Sequence, residues 1–160
     1  MELVGVRVEI PANTPVVVLR EQTGEHRLLP ILIGSPEASS IHSAIEGIEP
    51  PRPLTHDLIV DTLSTLGAEL VDVAITEIRD HVFYAELHLT MGEQTFTVSS
   101  RPSDAIALAV RTGSPIFASE TLLAEAAQPA PADEAEEAEA IIDEFRDFLD
   151  DLSPDDFNAE

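Results

Sequence analysis

The chain has 160 residues, 44% of them hydrophobic, with no cysteine and a formal charge of −23; this suits one compact domain with its own core and excludes disulfides, thiolate nucleophiles and cysteine-based zinc sites. Residues 127–160 hold thirteen of the 31 acids but one of the eight basic residues, all arginine, so half of the net charge lies on one-fifth of the chain. No apolar run approaches the roughly eighteen residues that cross a bilayer, and Met1 opens into alternating sequence instead of a charged-then-apolar leader, so a cytoplasmic protein with no membrane partner is expected.

In chain order, Val4, Val6, Val8 and Ile10 alternate with Gly5, Arg7 and Glu9 over residues 3–10, with Leu3 outside the alternation, the pattern of a half-buried strand. A turn follows between Pro11 and Pro15. Residues 16–19 and 28–33, joined across Gln22-Thr23-Gly24-Glu25, predict a hairpin in which Pro30, unable to donate to a ladder, belongs on an edge or at a bulge. Ser35-Pro36-Glu37-Ala38 predicts a helix with Ser35 as N-cap, Pro36 at the first position and an acid in the first turn, closing near Gly47. Thr55 is expected to cap a second helix, with an apolar stripe of Leu58, Ile59, Thr62, Leu63 and Leu66 and a stop at Gly67.

Strands are predicted over 69–78, 82–90 and 94–99, followed by a third helix from Arg101-Pro102-Ser103-Asp104 to Gly113, a short strand over 115–118 and a brief helix over 119–126. Residues 127–140 form an Ala/Pro/acid linker. Beyond it Ile141, Ile142, Phe145, Phe148, Leu149 and Leu152 recur at helical spacing opposite acids, giving an acidic amphipathic helix and tail over 141–160. Residues 23–47 and 91–113 share one order (Gly-Glu turn, strand, proline-started helix with an early acid, closing glycine), which suggests an internal duplication. The expected fold is α+β: over residues 1–126, a mixed or antiparallel sheet of about six to seven strands with three to four helices, then the C-terminal amphipathic helix.

Three clusters carry groups suited to chemistry. Residues 51–57 hold Arg52 rigidly between prolines and set Thr55, His56 and Asp57 at a helix start. Functionally this is an anion site with His56 as the proton-transfer group; structurally it is a capped helix with Arg52 in a surface ion pair. In Arg101-Pro102-Ser103-Asp104, the helix dipole accounts for Asp104, stabilised by roughly 0.3–1 kcal/mol, but Arg101 is a cation beside a positive helix end and requires an anion or carboxylate to join it. Glu37 is either a plain capping residue or the second carboxylate of a shared cavity, and two such carboxylates suit a hard divalent cation such as Mg²⁺. His26, His42, His81 and His88 show no metal-ligand spacing and read as surface or turn residues. No Gly-rich phosphate loop, HExxH or GxSxG occurs, and no organic cofactor is expected.

The segments LPILIGSPEA, PRPLTHDL, LGAELVDVAI and RPSDAIALAVRTGSPIF, in this order and spacing, resemble the bifunctional nuclease family over residues 1–126. The resemblance implies cleavage of both DNA and RNA. Residues 1–126 carry eighteen acids against seven arginines, −11 in all, which opposes a polyanion. A local pocket is therefore expected, in which Glu37 and Asp104 hold Mg²⁺ directly or through water, Arg52 and Arg101 grip phosphate beside Thr55 and Ser103, and His56 moves the proton. Single-stranded nucleic acid is the expected partner. The alternative is a non-enzymatic regulatory or protein-interaction module that binds an anionic ligand or a partner protein through the same arginines. In that reading the C-terminal helix docks in a partner groove, stabilises a homo-oligomer, expected to be a dimer, or folds back on its own domain.

Overall fold

The structure, a computed structural model, describes residues 1–9 and 14–130. The first half runs β1 (Glu2–Glu9), β2 (Thr14–Arg20), β3 (Leu28–Leu32), α1 (Ser35–Ile45) and α2 (Thr55–Thr65). The second runs β4 (Ala68–Arg79), β5 (Val82–Met91), β6 (Gln94–Ser100), α3 (Pro102–Thr112), β7 (Ile116–Ala118) and α4 (Glu120–Ala126). This is the expected α+β class, the seven strands among the described residues divided between a three-stranded sheet, β1-β2-β3, and a four-stranded sheet, β6-β5-β4-β7. Every pairing is antiparallel except that of β7 with β4.

Each half is thus a three-strand meander followed by a helix. In the first meander Val16, Val17, Val18 and Leu19 are all buried because β2 lies between β1 and β3. The register of β1 slips between Leu3 and Gly5, and this bulge is why Leu3 falls outside the alternation of its strand. Pro30 sits on the outer strand β3, where a missing N–H costs no ladder bond. In the second meander Val73 and Ile75 of β4 face Leu87 and Ala85 of β5 across the ladder, all four buried.

Helix α3 is central, touching β4 and β5 of the larger sheet as well as α1 and α2. Its alanines 105, 107 and 109 are fully or nearly fully buried along with Ile106 and Leu108, so the small residues admit close neighbours while the large ones fill the core. Burial of Ile106 and Leu108 stabilises the fold by roughly 1.5–3 kcal/mol each. One continuous core links Val17, Leu19, Leu29 and Ile31 to Val73, Ile75, Ile106 and Leu122.

Three local expectations are corrected. Gly34, not Ser35, is the N-cap of α1, so Ser35 and Pro36 are its first and second residues. Leu54, not Thr55, is the N-cap of α2, and the Asp57 carboxylate accepts the Leu54 N–H at 2.9 Å in place of a hydroxyl cap. Most of the α2 stripe faces outward, with Leu58 57%, Ile59 38% and Leu66 65% exposed, and of its members Leu63 alone shares the inner face with His56 and Val60. A buried polar residue on the inner face rotates the apparent apolar stripe away from the true contact.

Residues Met1–Gln128 form one compact unit. Ala127 and Gln128, expected in the linker, belong to it, because Gln128 and Leu28 exchange backbone hydrogen bonds of 2.7 and 2.8 Å. The remainder of that linker from residue 131, and the amphipathic helix expected over 141–160, lie outside the described residues. Among the described residues no helix is long and apolar enough to cross a membrane.

Candidate functional site

Helices α1, α2 and α3 each place an acid at their third residue, Glu37, Asp57 and Asp104, where a carboxylate is favoured by the unpaired N–H groups of the first turn. Arg101 is the extended N-cap of α3, and its side chain turns forward onto Asp104, donating from Nε to Oδ2 at 2.7 Å and from Nη2 to Oδ1 at 2.9 Å. Its Nη1 reaches across to Glu37 Oε1 at 2.9 Å. Two carboxylates therefore offset the cost of a cation at a positive helix end and raise the Arg101 pKa, the hydrogen bonds to Asp104 contributing most. Burial alone would raise the Asp104 pKa, but hydrogen bonds from Arg101 and His56 outweigh it and hold the carboxyl below its ordinary value. Gly34 makes room for this arrangement: a Cβ there would collide with Glu37 Oε2.

His56, the second residue of α2, is 8% exposed. Its Nε2 lies 3.0 Å from Asp104 Oδ1 and its Nδ1 2.8 Å from Ser40 Oγ. Arg111, two helical turns beyond Asp104 on α3, connects all three helices. It donates to Asp57 Oδ1 at 2.6 Å, to Ala107 O at 2.9 Å, and to Ser40 O and Oγ at 3.2 and 3.1 Å. The hydrogen bond from Arg111 holds the Asp57 carboxyl below its ordinary pKa.

These groups open into a groove of about 900 Å³ bounded by α1, α2 and the start of α3. Glu37, Ser40, Thr55, His56, Arg101 and Asp104 line its polar side, and Leu54, Leu58 and Ile59 its apolar side. Of the residues singled out in the sequence, the structure brings Glu37, Thr55, His56, Arg101 and Asp104 together. Arg52 is exposed and does not line the groove. Ser103 is buried and lines a second cleft with Ile31, His81 and Phe83 that shares Arg101 with the groove, because adjacent helical residues point about 100° apart. Sequence reasoning missed Ser40 and Arg111. The only local signal for them is helical phase, Ser40 one turn after Glu37 and Arg111 two turns after Asp104.

The site was also expected to hold Mg²⁺ between Glu37 and Asp104. Both oxygens of Asp104 and Oε1 of Glu37 already accept N–H groups. Among the described residues no group of three His, Asp or Glu side chains is disposed to hold a metal ion. As placed, these three oxygens are engaged by Arg101 and His56, so a divalent cation would have to displace the guanidinium to reach them. Outside the groove, His88 stands on β5 with its side chain 38% exposed and Nδ1 2.6 Å from Asp72 Oδ1, and that hydrogen bond raises its pKa.

The sequence model of the bifunctional nuclease domain matches residues 17–131, a range that contains every groove residue named above. A Mycobacterium tuberculosis protein named only as uncharacterised is 46% identical, over 99% of this chain and 98% of its own. Bifunctional nuclease 2 of Oryza sativa subsp. japonica is 33% identical over 70% of this chain, and Bifunctional nuclease 2 of Arabidopsis thaliana 32% identical over 62%. The alignments cover 35% of the rice protein and 31% of the Arabidopsis one.

Proposed function

Because this chain belongs to the bifunctional nuclease domain family, we propose that the groove bounded by α1, α2 and the start of α3 hydrolyses phosphodiester bonds of single-stranded DNA and RNA. The observation that carries this reading is the convergence of a buried imidazole, two carboxylates and an accessible guanidinium from separate segments of the chain onto one open groove.

Each group has a role that its position supports. Arg101 is 64% exposed and retains N–H groups not committed to Glu37 or Asp104, so it can grip a substrate phosphate while the carboxylates keep its fork oriented. The first turn of α2 adds the unpaired N–H groups of Thr55 and His56 and the Thr55 hydroxyl. Asp104 fixes the His56 ring, leaving Nδ1 to take a proton from the attacking hydroxyl and return it to the leaving oxygen. Leu54, Leu58 and Ile59 offer apolar surface to unstacked bases, which single strands present and duplexes hide. A divalent cation would have to compete with Arg101 for Glu37, and no step is assigned to one.

The experiment is cleavage of single-stranded DNA and RNA oligonucleotides by wild-type protein and by an Asp104→Ala, His56→Ala double variant, with and without a chelator. The expected loss is on the order of 10²–10⁴-fold, the contribution of a positioned acid–base group, with activity surviving the chelator. Full cleavage by the double variant would sink the reading. A second reading has one observation in its favour, the apolar outer face of α2 with Leu58 and Leu66 exposed. There the chain is a non-enzymatic regulatory module whose groove binds an anionic ligand without turning it over, and the α2 face meets a partner protein or a second copy. Absence of cleavage together with a concentration-dependent mass would favour it.

A further inference from the structure

Resting on the hydrolytic reading of this groove, we propose that Ser40 is its nucleophile and that hydrolysis proceeds through a covalent phosphoseryl intermediate. Ser40 Oγ, the His56 ring and the Asp104 carboxylate form a hydrogen-bonded series of 2.8 and 3.0 Å, contributed by α1, α2 and α3 respectively.

The direction of the protons follows from the partners. Asp104, held ionised by Arg101, can only accept, so the neutral imidazole carries its hydrogen on Nε2. Nδ1 then has a bare lone pair, and the hydrogen between Nδ1 and Oγ must come from Ser40. Arg111 cannot compete for that hydrogen, because its Nη2 is itself a donor to Oγ at 3.1 Å. The hydroxyl is therefore polarised from both ends: its proton faces a base, and a guanidinium faces the oxygen that gains charge when the proton leaves.

A merely structural serine within a helix has a simpler option, which its neighbour takes. Ser43 donates to the Ser39 carbonyl one turn back at 2.9 Å. Ser40 instead turns to His56 and lines the groove with Arg101 and Thr55. A phosphate gripped by Arg101 would thus lie in the same groove as the Ser40 hydroxyl.

The chemistry balances with water as the only co-reactant. As the Oγ–P bond forms, the Ser40 proton passes to His56 Nδ1, the P–O bond to the leaving nucleotide breaks, and His56 gives the proton to that oxygen. Water, deprotonated by His56, then attacks the phosphoseryl diester. Ser40 Oγ departs with its proton restored, and a terminal phosphate monoester is released. Asp104 stays ionised and stabilises the imidazolium in both steps.

The test treats the full chain with a phosphonofluoridate, an electrophile that captures an activated serine hydroxyl. Intact mass and peptide mapping should show one adduct on Ser40, and none in His56→Ala. Ser40→Ala should lose more than about 10³-fold in cleavage rate. An unlabelled Ser40 in protein that cuts nucleic acid, or full cleavage by Ser40→Ala where His56→Ala is inactive, overturns the proposal: water is then the nucleophile and the hydrolytic reading stands. Ser40 labelled in protein that cuts neither DNA nor RNA gives the opposite result, a serine nucleophile without the nuclease reading. Labelling of wild-type protein decides the matter even if Ser40→Ala fails to fold.

Discussion

Asp104 is pulled in two directions, since burial works against its charge while Arg101 and His56 favour it, and the second influence wins. Its folded pKa is below the ordinary value, so the stabilisation from ionised Asp104 is fully present above that value and is lost as pH falls through the folded one. Asp104→Asn should therefore cost about 1 kcal/mol at neutral pH, a modest figure because Arg101 is largely exposed and screened. In urea denaturation the gap between variant and wild type should close progressively below the ordinary carboxylate pKa; a gap that persists in acid would mean that packing, not charge, holds this residue. Arg111 presents the contrasting case. Its side chain is largely buried, and Asp57, Ser40 and the Ala107 carbonyl all depend on it. Arg111→Ala leaves the Asp57 carboxylate without its cation and should cost about 2–3 kcal/mol, read by the same denaturation. A loss under about 0.5 kcal/mol, the usual range of surface substitutions, would show that the three helices are held by apolar packing alone.

At the scale of elements, the start of α1 shows how little separates a structural cap from a site. The backbone of Gly34 is extended with φ −74°, so alanine there meets no conformational barrier. Its Cβ would meet Glu37 Oε2, however, and Glu37 would have to leave Arg101. Gly34→Ala should change the melting temperature by less than about 2 °C yet raise KM for an oligonucleotide several-fold, because Arg101 loses one of the two carboxylates that orient it; an unchanged KM would remove Glu37 from the site. How far such features were legible follows from their range along the chain. Strands β4, β5 and β6 were readable from alternation, and the acidic helix starts from a proline followed by Glu or Asp. Cap positions came out one residue late at Ser35 and Thr55: at α2 the Asp57 carboxylate accepts the N-cap N–H in place of a hydroxyl cap, and at α1 Gly34 caps with no side-chain hydrogen bond. The inner face of α2 was not legible, since hydropathy assigns the buried side to Leu58 and Ile59, and it is His56 that is buried. Within the site, Arg101 and Asp104 could be found because a cation at a helix start violates a local rule. Ser40 and Arg111 violate none, and their contacts span 16 and 71 residues, a pairing only the tertiary fold creates.

Across the whole molecule, charge opposes the function that the groove supports. A protein at −23 repels a polyanion, and the attraction of Arg101 for one phosphate acts only at contact. The two effects respond differently to salt. Repulsion operates over the Debye length, which shrinks from about 30 Å at 0.01 M to about 8 Å at 0.15 M, whereas a contact pair is screened less. Hence kcat/KM on a single-stranded oligonucleotide should rise as salt increases to about 0.15 M and fall only beyond it, where phosphate contacts weaken. A nuclease with a basic groove falls throughout this range, because its binding rests on counterion release. Removing residues 131–160 takes away thirteen acids and Arg146 and leaves the chain at −11. The shortened chain should be faster than the full one at low salt, and the two curves should merge as screening becomes complete. If both chains lose activity steadily from the lowest salt, substrate capture is governed by a basic surface instead of a contact site, and Arg101 is not its anchor.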